Sequence, residues 1–172
     1  MIILKSRRTT LEPLTPNHID IMHELWTDQG VRKYLWDGLV ITRERAAQVV
    51  AASQADFAAH RYGLFAIVEN TSGRIIGFCG LRSGEMGAPE LLFGLFPRYW
   101  GKGLATEAAN AVLSYAFALG HPEVMAATDV PNDASARVLE RLGMKLERRG
   151  KLNGLDTLFF KKSYEDHARR ED

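Results

Sequence analysis

PRYWGKGLATEA, residues 97–108, sets Gly101 and Gly103 on either side of Lys102, directly ahead of a run with helical periodicity. The stretch before it, ELLFGLF at residues 90–96, reads as a strand. A glycine turn from strand into helix offers unpaired N–H groups at the positive end of a helix dipole, and its glycines let the backbone come close to an anion. Lys102 adds charge, so the stretch implies a phosphate-bearing ligand. It is not a P-loop, which would need glycine at Phe96 and Ser or Thr at Gly103. Nor is it a dinucleotide fingerprint, which would need glycine at Thr106 and a place in the first strand-to-helix turn.

Working outward, a helix is predicted over 103–119, with Leu104, Ala108, Ala111, Tyr115 and Leu119 on its inner face. VMAATDV, residues 124–130, is a strand, so the glycine loop lies inside a strand–helix–strand unit. A short helix over 134–142 is stopped by Gly143. Strands near 145–151 and 156–163 then meet through Asn153-Gly154, a hairpin turn signal. Upstream of the loop, GLFAIVE (63–69) and RIIGFCGLRS (74–83) read as an antiparallel hairpin, followed by a loop, SGEMGAP. A short strand over 8–14 comes first. Thr15-Pro16 opens a helix with Ile19, Met22, Leu25 and Trp26 inward and Gly30 at its end. The aromatic turn VRKYLWDG follows, and a long helix from Thr42 to about His60 buries Ala46, Val49, Val50, Ser53 and Phe57. The order implies a mixed α/β (α+β) sheet protein. No repeat or linker breaks it, so one domain is expected over 1–164 and a frayed, charged tail over 165–172.

The 172 residues are 46% hydrophobic and 25% charged, the balance of a globular chain, with a net charge of +1 that gives no reason to expect nucleic acid as a partner. The lone Cys79 forms no internal disulfide and reads as a small buried hydrophobe. The N-terminus lacks a signal-peptide core, and the longest charge-free run, 108–122, is broken by Gly120 and Pro122. A cytoplasmic location without membrane association is the expectation. The five histidines, His18, His23, His60, His121 and His167, show no ligand spacing, so no metal is expected.

Arg98-Tyr99-Trp100-Gly101-Lys102-Gly103-Leu104-Ala105 fits R-x-x-G-x-G-x-A. It lies in a longer string: Glu90 opening the strand, P-x-Y-W-G-K-G-x-A-T-E-A, then N-x-x-S-x-x-V-L-E-x-L-G at residues 132–143. This string resembles the GNAT superfamily of N-acetyltransferases, and within it the branch of ribosomal-protein N-terminal (Rim-type) acetyltransferases. The resemblance covers residues 10–163. It implies a mixed, mostly antiparallel central sheet of about seven strands flanked by about four helices.

It further implies acetyl-CoA as co-substrate, held by Leu95, Phe96, Arg98, Gly101, Lys102, Gly103, Leu104, Ala105, Thr106, Asn132 and Ser135. The acceptor would be a primary amine, either a protein N-terminus or a small molecule, attacking the thioester directly. Glu90 is then the residue that handles the amine proton, through a water; read from position alone it is equally a solvated strand-end carboxylate. A backbone N–H near Leu95 would face the oxyanion. Many family members protonate the departing thiol with a helix tyrosine, but that position holds Leu139 here. Ser135 would stand near the sulfur instead, its plain alternative being a helix cap, as it is for Asn132. Tyr34, Trp36 and Asp37 fall in the loop that borders the acceptor in this family, with aromatic packing as the alternative. The resemblance leaves homodimerisation open. A second class of function also fits these residues: a GNAT-like domain that binds acyl-CoA as a sensor without turnover.

Overall fold

The computed structural model describes residues 1–85 and 87–171; Met86 of the expected loop and Asp172 of the expected tail lie outside them. Two strands, β1 (Leu4–Lys5) and β2 (Thr9–Pro13), precede three helices, α1 (Ile19–Thr27), α2 (Gln29–Leu35) and α3 (Arg43–His60). A meander of β3 (Leu64–Glu69), β4 (Ile75–Ser83) and β5 (Pro89–Leu95) follows. Next come α4 (Leu104–Ala118), β6 (Glu123–Asp129) and α5 (Asp133–Arg141). The hairpin β7 (Lys145–Leu152) and β8 (Leu155–Ser163) and a last helix, α6 (Tyr164–Glu171), complete the chain. The strands form one sheet in the order β1-β2-β3-β4-β5-β6-β8-β7.

Every neighbouring pair is antiparallel except β5 and β6, which run parallel because α4 carries the chain back between them. Their register is confined to Glu90↔Met125 near the start of each strand. Beyond that point each strand keeps its other neighbour, β4 or β8, and the two carboxyl-terminal halves separate. The sheet is therefore split at its centre, where its edge groups can meet a ligand.

The core packs both faces of the sheet. Trp26 of α1 meets Phe78 of β4 edge-on at 5.5 Å between ring centroids, and Phe65, Phe160, Leu11 and Ile67 are fully enclosed. Cys79 is completely buried within β4, and burial pushes its thiol pKa up, so it stays a protonated, unreactive hydrophobe. Asn153 and Gly154 turn the β7–β8 hairpin with φ of 50° and 81°, the left-handed pair that a two-residue turn of this kind requires.

The architecture is the mixed, mostly antiparallel sheet with flanking helices that the resemblance implied, with eight strands and six α-helices among the described residues. Several elements differ from the sequence reading. The first helix ends at Thr27, not Gly30. Asp28 breaks it and caps α2, its side chain accepting from the N–H groups of Gly30 and Val31 at 2.9 and 3.3 Å. The buried face of α4 holds Leu104 and Ala108 as expected, but continues through Ala109, Val112, Leu113, Ala116 and Phe117 rather than Ala111, Tyr115 and Leu119. The segment read as a frayed tail forms α6 through Glu171. Ser163 caps its start, its Oγ accepting from the Asp166 N–H at 3.2 Å, and the Asp166 carboxylate pairs with Lys145 at 3.2 Å. His167 is buried against the Phe117 ring, and Arg170 Nη1 donates to Arg141 O at 2.9 Å.

Candidate active site

A cavity of about 530 Å³ opens between the separated halves of β5 and β6. Leu91 to Leu95 form one wall, and Ala126, Ala127, Thr128 and Asp129 form the other. The start of α4 and the inner face of α5 close the base, while Tyr34, Asp37 and the β7–β8 turn border the mouth. This volume lies in the range of small-molecule sites.

The glycine loop forms one end of it. A short 3-10 turn at Pro97–Tyr99 leads from β5 into Gly101 and Gly103, whose φ values of 74° and 77° are open to glycine and costly for other residues. Gly101, Gly103, Leu104, Ala105 and Thr106 all line the cavity, so the first turn of α4 faces the space with its N–H groups unpaired within the helix. Thr106 Oγ1 is buried with no hydrogen-bond partner among the described residues. An orphaned hydroxyl at a helix start, beside two left-handed glycines, suits an oxygen-rich anion.

The loop cations sit elsewhere. Arg98 and Lys102 do not line the cavity: Arg98 stacks its guanidinium 5.0 Å from the Phe96 ring centroid, and Lys102 Nζ lies 5.9 Å from that of Tyr99. Phe96 is buried in the core and also absent from the lining. The backbone of β5 is partly engaged. Phe96 donates its N–H to Ile76 O of β4 at 2.9 Å, so strand alternation turns the N–H and C=O of Leu95 the other way, into the split. Trp100 Nε1 donates to that Leu95 carbonyl at 2.8 Å, leaving the Leu95 N–H to face the cavity.

Glu90 stands where β5 and β6 still pair, 6% exposed and at the cavity wall. It is not a solvated strand end. Arg82, its direct cross-strand partner, grips it in a fork, Nε to Oε2 at 2.9 Å and Nη2 to Oε1 at 3.2 Å. A fork of this kind fixes the plane of the carboxylate. Across the cavity, Asn132 caps α5 by accepting from the Ser135 N–H at 3.2 Å. The cap position is thus taken by Asn132, and Ser135 lies inside the first turn, lining the cavity.

Of the three acceptor-side residues, the structure brings Tyr34 and Asp37 to the cavity but not Trp36. Trp36 packs edge-on against Trp26 at 6.0 Å, the plain aromatic role. Asp37 has company that the sequence reading missed: burial, and then the charge of Asp37, raise the Asp129 carboxyl above its usual range. Arg82, Arg137, Arg141 and the turn residues Leu152, Asn153 and Leu155 were also missed. Arg82 carried no signal in the sequence, because its place opposite Glu90 depends on the β4–β5 register, and the Asn153-Gly154 signal marks a turn without placing it at the cavity.

A model of the acetyltransferase (GNAT) domain family matches residues 8–145, most of the chain. The protein belongs to the GNAT acetyltransferase family. Among curated relatives, this GNAT chain is 25% identical over 150 residues to an uncharacterized N-acetyltransferase, p20, of Bacillus licheniformis, spanning 86% of this chain and 84% of that one. Among solved structures it is similar to RimL, a ribosomal L7/L12 α-N-protein acetyltransferase in complex with coenzyme A (TM-score 0.81, 18% identity, 94% of this chain and 98% of that one). It is also similar to the spermidine N-acetyltransferase of Vibrio cholerae in complex with CoA and spermine (TM-score 0.77, 18% identity, 94% and 98% coverage). At that identity the two structures establish the fold. The GNAT enzyme is an acetyl-CoA-dependent N-acetyltransferase, and the residues that line the cavity fit that co-substrate. Left-handed glycines and an orphaned hydroxyl suit its phosphates, and a strand edge whose Leu95 N–H is turned into the split suits its amide-bearing arm. Among the described residues no helix is long and apolar enough to cross a membrane.

Proposed function

We propose that the protein acetylates a cationic primary amine by direct attack of the neutral amine on acetyl-CoA, with Glu90, the Leu95 N–H and Ser135 as its working groups. Glu90 takes the amine proton through a water. Its fork with Arg82 holds the carboxylate at one orientation and occupies both oxygens, which favours a relayed over a direct transfer. The Leu95 N–H donates to the carbonyl oxygen as charge develops there, a fixed dipole that needs no reorganisation. Ser135 hydrogen-bonds the departing sulfur. A thiol pKa of about 8.5 means that the thiolate leaves with modest help, so a hydroxyl suffices where other members carry a tyrosine.

The observation that supports this most is a single one: Glu90, Leu95, Ser135 and the glycine loop all border one cavity at the split between β5 and β6. The acceptor class follows from charge. Asp37 and Asp129 border the same space together and favour a cation over an acid on that side of it, although Arg137 and Arg141 also line the cavity. A polyamine or a protein N-terminus both meet that description. A steady-state comparison of wild type with Glu90→Gln tests the reading. The variant is expected to lose about 10²–10³ in kcat while binding coenzyme A normally. A kcat within a few-fold of wild type would remove Glu90 from the mechanism.

A further inference from the structure

The glycine loop does not hold its own shape. Residues 101–103 are exposed, two of them left-handed glycines, and among the described residues no bond from within the loop fixes the Lys102–Gly103 peptide. The contact that does so comes from the other end of the chain. Arg8, in the turn between β1 and β2, donates Nη1 to Lys102 O at 3.0 Å. It also donates its backbone N–H to Glu107 Oε1 at 2.6 Å and its Nε to Glu107 Oε2 at 2.7 Å, one turn into α4. The Arg8 backbone is itself anchored. Ser6 N–H donates to Thr9 O at 2.9 Å to close the turn, and Asn70 N–H donates to Arg8 O at 2.9 Å.

We infer that Arg8 is a positioning residue for the phosphates of acetyl-CoA. In a trans peptide the C=O and N–H point in opposite directions. Drawing the Lys102 carbonyl toward Arg8 therefore turns the Gly103 N–H away from Arg8. The cavity lies on that side: Gly101 and Gly103 line it, whereas Arg8 and Lys102 do not. The bond to Glu107 sets the other end of the strut. It locks the first turn of α4 against the β1–β2 turn. Arg8 acts from behind the loop and touches no reacting atom.

The inference rests on the reading that residues 101–106 receive the phosphates. Calorimetric titration of free coenzyme A into wild type, Arg8→Met, Arg8→Met/Glu107→Gln and Arg43→Met tests both levels. Arg43 pairs with Asp20 on the surface and controls for loss of charge alone. Arg8→Met is expected to weaken coenzyme A about tenfold, the scale of one charge-assisted hydrogen bond, with kcat at saturating acetyl-CoA within twofold of wild type. The double variant is expected to stay weak, and Arg43→Met to bind normally. Normal binding by Arg8→Met overturns the inference. Recovery in the double variant overturns it too, since charge rather than peptide orientation would then be at work. No binding by wild type removes the phosphate reading beneath it. If Arg8→Met does not fold, Arg8→Lys serves: a single ammonium cannot reach Lys102 O and fork Glu107 together, so weakening is expected and wild-type affinity overturns the proposal.

Discussion

Ser135 of α5 and Glu90 of β5 line one cavity, and in the proposed mechanism they carry unequal burdens. Proton removal from an ammonium is indispensable near neutral pH, whereas a thiolate is a competent leaving group on its own. Ser135→Ala is therefore expected to lower kcat by about tenfold or less, far below the loss from Glu90→Gln, as read by initial rates at saturating acetyl-CoA. A loss equal to that of Glu90→Gln would make Ser135 the principal acid. The serine was legible from its place in the N-x-x-S string, but its freedom from capping was not. That freedom depends on Asn132 accepting the Ser135 N–H, a geometric outcome that the residue types alone leave open. Glu90 was legible as a position, and its fork with Arg82 was not, because an ion pair across two strands requires the β4–β5 register.

The β1–β2 turn and α4 are joined through Glu107, and the joint has a pH signature. Burial alone would raise the Glu107 pKa; the backbone and side-chain hydrogen bonds of Arg8, with the Ser6 hydroxyl and the Arg8 charge, together more than offset that and hold the carboxyl below its usual range. A depressed folded pKa adds stability above the unfolded value of about 4.3, and that stability is lost as pH falls through the folded value. Melting temperatures of wild type and Glu107→Gln should thus differ at pH 7, with wild type higher, and converge toward pH 3. A gap that persists in acid would assign the effect to packing. At this scale the sequence was readable where an element had a period. The β3–β4 hairpin, β5 and the Asn153-Gly154 turn stand where alternation and turn chemistry put them. With two residues, β1 is too short for any alternation to register. The inner row of α4 was misjudged because the helix is apolar around much of its circumference, which leaves several rows equally eligible. Helix α6 has no apolar stripe; His167, its buried residue, is a type as often exposed as not.

Across the molecule, the cavity exists because one parallel pair interrupts an otherwise antiparallel sheet, and a ligand seated there ties both halves together. Binding to the folded state alone stabilises by mass action, about 2.7 kcal/mol at a hundredfold excess over Kd. For a domain of this length that is a rise of roughly 5–10 °C in melting temperature with coenzyme A, measurable by calorimetry. ATP or NAD at equal concentration should give no comparable rise. The strand order was not written in any segment of the chain; it emerges from helix α4 returning the chain across the sheet, and it alone brings Glu90 and Ser135 to one space. The most direct measurement is release of free coenzyme A from acetyl-CoA in the presence of N-terminal peptides, polyamines, amino acids and aminoglycosides. Release that depends on a cationic amine, with acetylated product in equal amount, is the expected result. Protein that binds acetyl-CoA yet releases no thiol with any amine would contradict the account and leave a sensor of acyl-CoA in place of an enzyme.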